Sequence, residues 1–221
     1  MKLLIKDVSS LLMITEKEIN HMIRKNEIPF QILQDKVWFN KQQIIEWALT
    51  RNRPINLSGS TRFEEFQIKT IVPLLGEKSF FYQCVFTESG YIDQMVAMVQ
   101  FDASVDRDVV GQLLKSREQL MSTAIGNGIA LPHPRIPLIV GRDKPLINFF
   151  FPQTPLNLNS IDGKPVHSII LIISQTIKQH LSLLAHLSFL LSQGEFHDAL
   201  SQRKPFQELI GIIEKLESSR R

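Results

Sequence analysis

Ser122-Thr123-Ala124-Ile125-Gly126-Asn127-Gly128-Ile129-Ala130-Leu131-Pro132-His133-Pro134-Arg135 sets one histidine between two prolines at the end of a glycine-punctuated apolar segment. Proline locks its own φ, and Pro134 pushes His133 toward extended backbone. Gly126 and Gly128 permit positive φ or close backbone approach just upstream. Such rigidity suits an imidazole that must be presented in one orientation, for instance to accept a phosphoryl group.

Helical and strand patterns alternate on both sides of this segment. Upstream, the sequence predicts a helix over residues 66–75, a strand over 80–85, and helices over 92–99 and 108–116. Downstream, two buried strands are expected at 146–151 and 166–173, separated by a polar turn at 157–164. A helix over 178–192, a short turn from Glu195 and a helix over 206–216 complete the pattern. Strands interleaved with helices imply an α/β fold, a layered domain with a mixed sheet flanked by helices.

The residues before this domain differ in charge. Residues 1–53 hold nine Lys/Arg and six Asp/Glu, whereas the remainder holds sixteen of each, so the whole net charge of +3 lies in the first quarter. The segment Arg51-Asn52-Arg53-Pro54-Ile55-Asn56-Leu57-Ser58-Gly59-Ser60-Thr61 breaks the periodicity and reads as a linker. The expected organisation is a small basic domain over 1–52, a linker over 53–65 and the α/β domain over 66–217.

Within the first domain, Val8, Leu11 and Leu12 mark a short helix. Thr15 and Glu18 form a capping box for a second helix, which turns Ile19, Met22 and Ile23 to one side and Lys17, Asn20, His21 and Arg24 to the other. Asn26 is placed to end it in a left-handed conformation. Strands at 28–33 and 37–39 enclose a turn at Gln34-Asp35-Lys36, and Asn40 with Gln43 caps a last helix bearing Ile44, Ile45, Ala48 and Leu49. Asn26-Glu27-Ile28-Pro29-Phe30, Val37-Trp38-Phe39 and Ile44-Ile45-Glu46-Trp47 resemble the excisionase/MerR-like winged helix-turn-helix family over about residues 3–50. That resemblance implies DNA as a partner, with Lys17, Asn20, His21, Arg24 and Lys36 as candidate contacts. The wing departs from the family in having Lys36 as its one basic residue, with Trp38 in place of another, and Asn26 replaces the usual glycine. A protein-docking module is the alternative reading of the same polar face.

In the second domain, four blocks occur in order: Ser116-Arg117-Glu118, residues 122–133, Asp162-Gly163-Lys164-Pro165-Val166 and His180-Leu181-Ser182-Leu183-Leu184. They resemble the fructose/mannitol/nitrogen-type enzyme IIA family of the phosphoenolpyruvate-dependent phosphotransferase system. The resemblance implies that His133 receives a phosphoryl group from the phosphohistidine of an HPr-type carrier, with Arg117 and His180 beside it. An enzyme IIB or a regulated protein would then follow downstream. Pro134 departs from the glycine that relatives carry after the histidine, so a regulator whose IIA-like domain binds partners without transferring phosphate is the competing expectation. No cofactor or metal is called for. A neutral imidazole is an adequate nucleophile near neutral pH.

The other features receive structural readings. His21 belongs to the polar helix face, His167 to a strand region, and His186 and His197 to the C-terminal helices without a carboxylate or cysteine at metal-ligand spacing. Glu64 and Glu65 read as a helix start, and Asp162-Gly163 as a turn. The single cysteine, Cys84, excludes a disulfide framework. No apolar run approaches the roughly 18–20 residues that span a bilayer. Charge enters by Lys2 and Lys6, too early for a signal-peptide core. A soluble cytoplasmic protein is expected.

Overall fold

The computed structural model describes residues 2–33, 36–57, 68–103, 105–140 and 144–219. The N-terminal module comprises β1 (Lys2–Leu3), α1 (Ile5–Leu12), α2 (Glu16–Arg24), β2 (Gln31–Leu33), β3 (Lys36–Asn40) and α3 (Lys41–Thr50). The expected capping box forms: the Glu18 N–H donates to Thr15 Oγ1 at 3.2 Å, and the Thr15 N–H donates to Glu18 Oε2 at 2.7 Å. Asn26 takes φ 54°, and the Asn40 side chain accepts the N–H groups of Gln42 and Gln43. β1 is an addition to the expected order. Its two residues pair antiparallel with β3, so β3 lies between β1 and β2. The tip of the hairpin, Gln34 and Asp35, lies outside the described residues.

The expected linker does not begin as one. Ile55–Asn56 forms β4 and pairs parallel with β8 (Leu138–Ile139). The N–H groups of Ile55 and Leu57 donate to the carbonyls of Pro137 and Ile139, and Ile55 and Leu57 are buried. Apolar side chains two residues apart line one face of an extended chain, which gives this segment a reason to dock.

The second part of the chain continues with β5 (Phe80–Cys84), α4 (Tyr91–Met98), α5 (Arg107–Glu118), β6 (Ala124–Gly126), β7 (Ile129–Ala130), β9 (Leu146–Pro152), β10 (Ser168–Ile173), α6 (Ile177–Leu191), α7 (Gly194–Ser201) and α8 (Phe206–Ser219). Five strands make a mixed sheet in the order β5-β9-β10-β7-β6. Every residue of β9 and β10 is buried, because helices cover both faces. Alternation along these strands divides the core. Leu146, Phe150, Ile169, Leu171 and Ile173 join a cluster with α4, α5 and the N-terminal module. Ile147, Phe149, Phe151, Ile170 and Ile172 join one with α6, α7 and α8. The result is a three-layer α/β/α arrangement with a mixed sheet in the middle. Stacked rings Phe80–Phe149 and Phe81–Phe150, both 4.7 Å apart, bind the edge strand β5 to β9.

Two local expectations are corrected. The helix expected over 66–75 is, within the described residues, a single 3-10 turn at Val72–Leu74. Pro73 lacks an N–H to extend it, and the Ile71 N–H is taken instead by the Glu217 carboxylate at 3.1 Å. The turn expected from Glu195 is the full helix α7, seated by buried Phe196, Ala199 and Leu200. Among the described residues no helix is long and apolar enough to cross a membrane.

The N-terminal module sits directly on α5. Lys41 Nζ in α3 contacts Asp106 Oδ2 at 2.8 Å, and this bond holds the Asp106 carboxyl below the usual carboxylate range. Asp106 is also the N-cap of α5, accepting the Val109 N–H at 3.3 Å.

Candidate functional site

α5 runs two residues beyond the helix expected from sequence, so Arg117 lies in its final turn rather than after it. A cation is favoured there by the carbonyl end of the helix. The adjacent Glu118 turns to a different side. It accepts the Thr123 N–H at 3.1 Å and the Thr123 hydroxyl at 2.6 Å. The buried Tyr91 phenol faces this carboxylate as well. Burial first, and then the Glu118 charge, push its pKa up.

The glycine-punctuated segment forms a hairpin. Asn127 and Gly128 take φ 51° and 73°, the two-residue turn that needs positive φ at both central positions. Asp162 Oδ2, itself in a turn closed by the Gly163 N–H on the Ser160 carbonyl, accepts the Asn127 N–H at 2.8 Å. Glycine is required at position 128 for a second reason: a Cβ there would lie 2.3 Å from a ring carbon of His167. β7 then pairs parallel with β10. The Ile172 N–H donates to the Pro132 carbonyl at 3.0 Å, so the chain stays beside β10 until it delivers His133. Pro132 and Pro134 are both buried, and His133 between them is half-buried.

Two contacts define the chemistry of His133. Its Nδ1 lies 2.7 Å from the Leu131 carbonyl oxygen. A carbonyl only accepts, so Nδ1 carries the ring proton and Nε2 presents a lone pair. Arg117 Nε donates to that Nε2 at 3.3 Å, while Arg117 Nη1 donates to the Met121 carbonyl at 2.8 Å. The His180 ring lies 4.9 Å from that of His133, with planes inclined at 44°. His180 sits in the first turn of α6, where Thr176 caps the Gln179 N–H at 3.1 Å and the Thr176 carbonyl accepts the His180 N–H. The three residues singled out from sequence are therefore brought together.

Burial lowers the pKa of His133. The Arg117 charge acts in the same direction, while the bond to Leu131 and the Glu118 charge oppose it. His180 is pushed down from 6.5 to about 4, by burial first and then by His133 and Arg117. Both imidazoles are thus held neutral near neutral pH, as a nucleophilic nitrogen requires. The same shifts make stability pH-dependent. Between pH 6.5 and about 4 the unfolded chain binds a proton at His180 that the folded chain does not, so stability is complete above 6.5 and falls as pH drops through that window. Urea midpoints measured across it should decline, and His180→Gln should flatten the decline.

Lys17, Asn20, His21 and Arg24 stand exposed on α2, and Lys36 is exposed at the start of β3. Asn20 Nδ2 donates to the Glu16 carbonyl at 2.8 Å. No contact among the described residues joins these five to the His133 cluster. His186 Nδ1 pairs with Glu217 at 2.9 Å, and His197 Nε2 lies 3.0 Å from the Asn127 carbonyl. Glu64 and Glu65 lie outside the described residues. Neither Glu118 nor the carbonyls of Leu131 and Met121 carries a role that the sequence pattern predicts. Glu118 lay within a matched block, but a backbone carbonyl leaves no sequence signal because every residue has one.

Residues 77–216 match the family described as phosphoenolpyruvate-dependent sugar phosphotransferase system, EIIA 2. The chain belongs to this EIIA type 2 family. The EIIA domain is similar to the nitrogen regulatory protein of Pseudomonas aeruginosa, 29% identical over 110 residues that make up 49% of this chain and 70% of the relative. It is also 30% identical over 129 residues to the fructose-specific EIIABC component of Bacillus subtilis, covering 57% of this chain and 20% of that longer protein. The mannitol-specific phosphotransferase enzyme IIA component of Staphylococcus aureus is 29% identical over 123 residues, 53% of this chain and 78% of its own length. Among solved structures, the nitrogen regulatory protein IIA-Ntr of Neisseria meningitidis shares the fold with a TM-score of 0.55 at 22% identity, covering 65% of this chain and 98% of that one. His133, Arg117, Glu118 and His180 all fall within the EIIA domain, and the N-terminal module lies before the matched residues.

Proposed function

We propose that this protein is a regulatory phosphocarrier that accepts a phosphoryl group on Nε2 of His133 from an HPr-type phosphohistidine and couples its phosphorylation state to the N-terminal module. The observation carrying this reading is the commitment of Nδ1 to the Leu131 carbonyl, which leaves the Nε2 lone pair facing the Arg117 guanidinium. In the transfer, that lone pair forms the new N–P bond while the donor's N–P bond breaks and its electron pair returns to the donor ring. The ring of His133 gains positive charge, which the Leu131 carbonyl stabilises through Nδ1–H. Arg117 Nε–H, losing its acceptor, turns to a phosphoryl oxygen, the geometry for which guanidinium is suited. No base is needed, so positioning and charge stabilisation carry the reaction.

Coupling is supported by two joints. α5 bears Arg117 in its last turn and meets α3 through Asp106 and Lys41 at its first. β4, which leaves the N-terminal module, pairs with β8, and the Leu138 N–H of β8 donates to the Ser174 carbonyl just before α6. The N-terminal module is read as a winged helix-turn-helix that binds DNA through Lys17, Asn20, His21 and Arg24 of α2, with Lys36 on the wing.

The test is labelling with phosphoenolpyruvate, enzyme I and HPr. Stoichiometric, acid-labile label that disappears in His133→Ala is expected. Unlabelled parent protein, or undiminished label in the variant, would sink the reading. Pro134 favours one competitor, a regulator that binds partners without transfer, since it removes a backbone N–H beside the acceptor. Salt-dependent shift of genomic DNA fragments without labelling would select that competitor, and absence of salt dependence would select a protein-docking module.

A further inference from the structure

We infer that Glu118 is a positioning residue for phosphoryl transfer, acting by folding residues 119–122 back so that the Met121 carbonyl aims Arg117 at His133. The inference rests on the phosphocarrier reading above. Arg117 and Glu118 are consecutive in the last turn of α5, so their side chains leave the helix in different directions and do not share a partner. Glu118 is occupied by the returning chain. Both its oxygens lie 3.1 Å from the Thr123 N–H, Oε2 accepts the Thr123 hydroxyl at 2.6 Å, and Ser122 Oγ lies 3.1 Å from Oε1. Thr123 is only 3% exposed, so its N–H and hydroxyl would be left unsatisfied in the interior without that carboxylate.

The segment between has little packing of its own. Leu120 and Met121 are 65% and 70% exposed, so hydrogen bonds rather than apolar contacts hold it in place. Its upstream end is tied by the Leu120 N–H to the Arg117 carbonyl, and its downstream end by Glu118 and by the Ser122 hydroxyl, which donates to the Leu158 carbonyl at 2.6 Å. Between them the Met121 carbonyl receives Arg117 Nη1 at 2.8 Å. With one edge of the guanidinium held there, Nε is left facing Nε2 of His133 at 3.3 Å. Glu118 makes no hydrogen bond to His133 itself. Apart from the through-space charge that opposes the lowering of the His133 pKa, its route to the acceptor runs through the loop and Arg117.

The experiment is a double-mutant cycle on single-turnover transfer from phosphorylated HPr to the full-length protein. Glu118→Gln keeps the shape but weakens the clamp, and should slow transfer by roughly tenfold to a hundredfold, the sensitivity expected of a misaimed group. Made in an Arg117→Ala background, the same change should alter the rate by less than about twofold, because residues acting as one unit are not additive. Thr123→Val, which removes only the hydroxyl from the Glu118 clamp, should reproduce the direction of the effect. A Glu118→Gln rate within about twofold of parent, or an equal loss in both backgrounds, would overturn the inference. Parent protein that takes up no label would remove the phosphocarrier reading and this inference together, whereas labelling of Glu118→Gln at the parent rate removes this inference alone.

Discussion

Replacing Arg117 by alanine should slow phosphoryl acceptance at His133 by roughly 10²–10³-fold, the cost of losing one preorganised donor at a site of developing charge. The guanidinium is held at two points, by the Met121 carbonyl through Nη1 and by His133 Nε2 through Nε. It is therefore beside the acceptor before the phosphoryl group arrives, and only its Nε–H changes partner during transfer while Nη1 stays on the Met121 carbonyl. Arg117→Lys retains the charge but not the planar two-edged fork, so it should recover only part of the rate. Removing Arg117 also removes one of the influences that lower the pKa of His133. The acid limb of the rate profile should accordingly move to higher pH in Arg117→Ala. Quenched-flow transfer from phosphorylated HPr measures both effects. A rate within about threefold of parent would show that Arg117 is a bystander, since the expected loss is far larger.

Phe150→Ala should cost about 3–5 kcal/mol of folding stability, the range for emptying a large aromatic site in a packed core. Phe150 is fully buried on β9, stacks on Phe81 at 4.7 Å and lies opposite Ile169 of β10. Its cluster extends without interruption from the sheet through α4 and α5 to Ile19, Ile44 and Ala48 of the N-terminal module. The loss should therefore be felt by both parts of the chain. Both tryptophans, Trp38 and Trp47, lie in the N-terminal module, whereas far-ultraviolet circular dichroism reports the whole protein. Urea transitions followed by the two signals should coincide in parent and variant, as a shared core requires. Separate transitions would show that the N-terminal module folds apart from the EIIA domain.

What could be read in advance depended on the range of the interaction. The α2 box rests on Thr15 and Glu18, three residues apart, and the Asn127–Gly128 turn on two adjacent residues, so local chemistry was enough. β9, β10 and α6 announced themselves as long apolar patterns. The two-residue strands β1 and β4 did not, because neither has enough length for a pattern and each exists only through a partner strand remote in sequence. The helix expected over residues 66–75 gave way, in its described part, to a 3-10 turn when the Glu217 carboxylate took the Ile71 N–H. His133, Arg117 and His180 were named from resemblance; their spacing alone did not join them.

The amino-acid order by itself determined that His133 is rigidly displayed, because two prolines and a positive-φ turn act within a few residues of it. It also determined the alternation of helices and strands and the family. Tertiary structure alone decided which imidazole nitrogen is free, where Arg117 points and how the N-terminal module is seated. Those outcomes depend on the carbonyls of Leu131 and Met121, on Glu118 gripping Thr123 and on Lys41 reaching Asp106. A backbone carbonyl has no letter in the sequence, and a bond across 65 residues has no local period. Packing sets both.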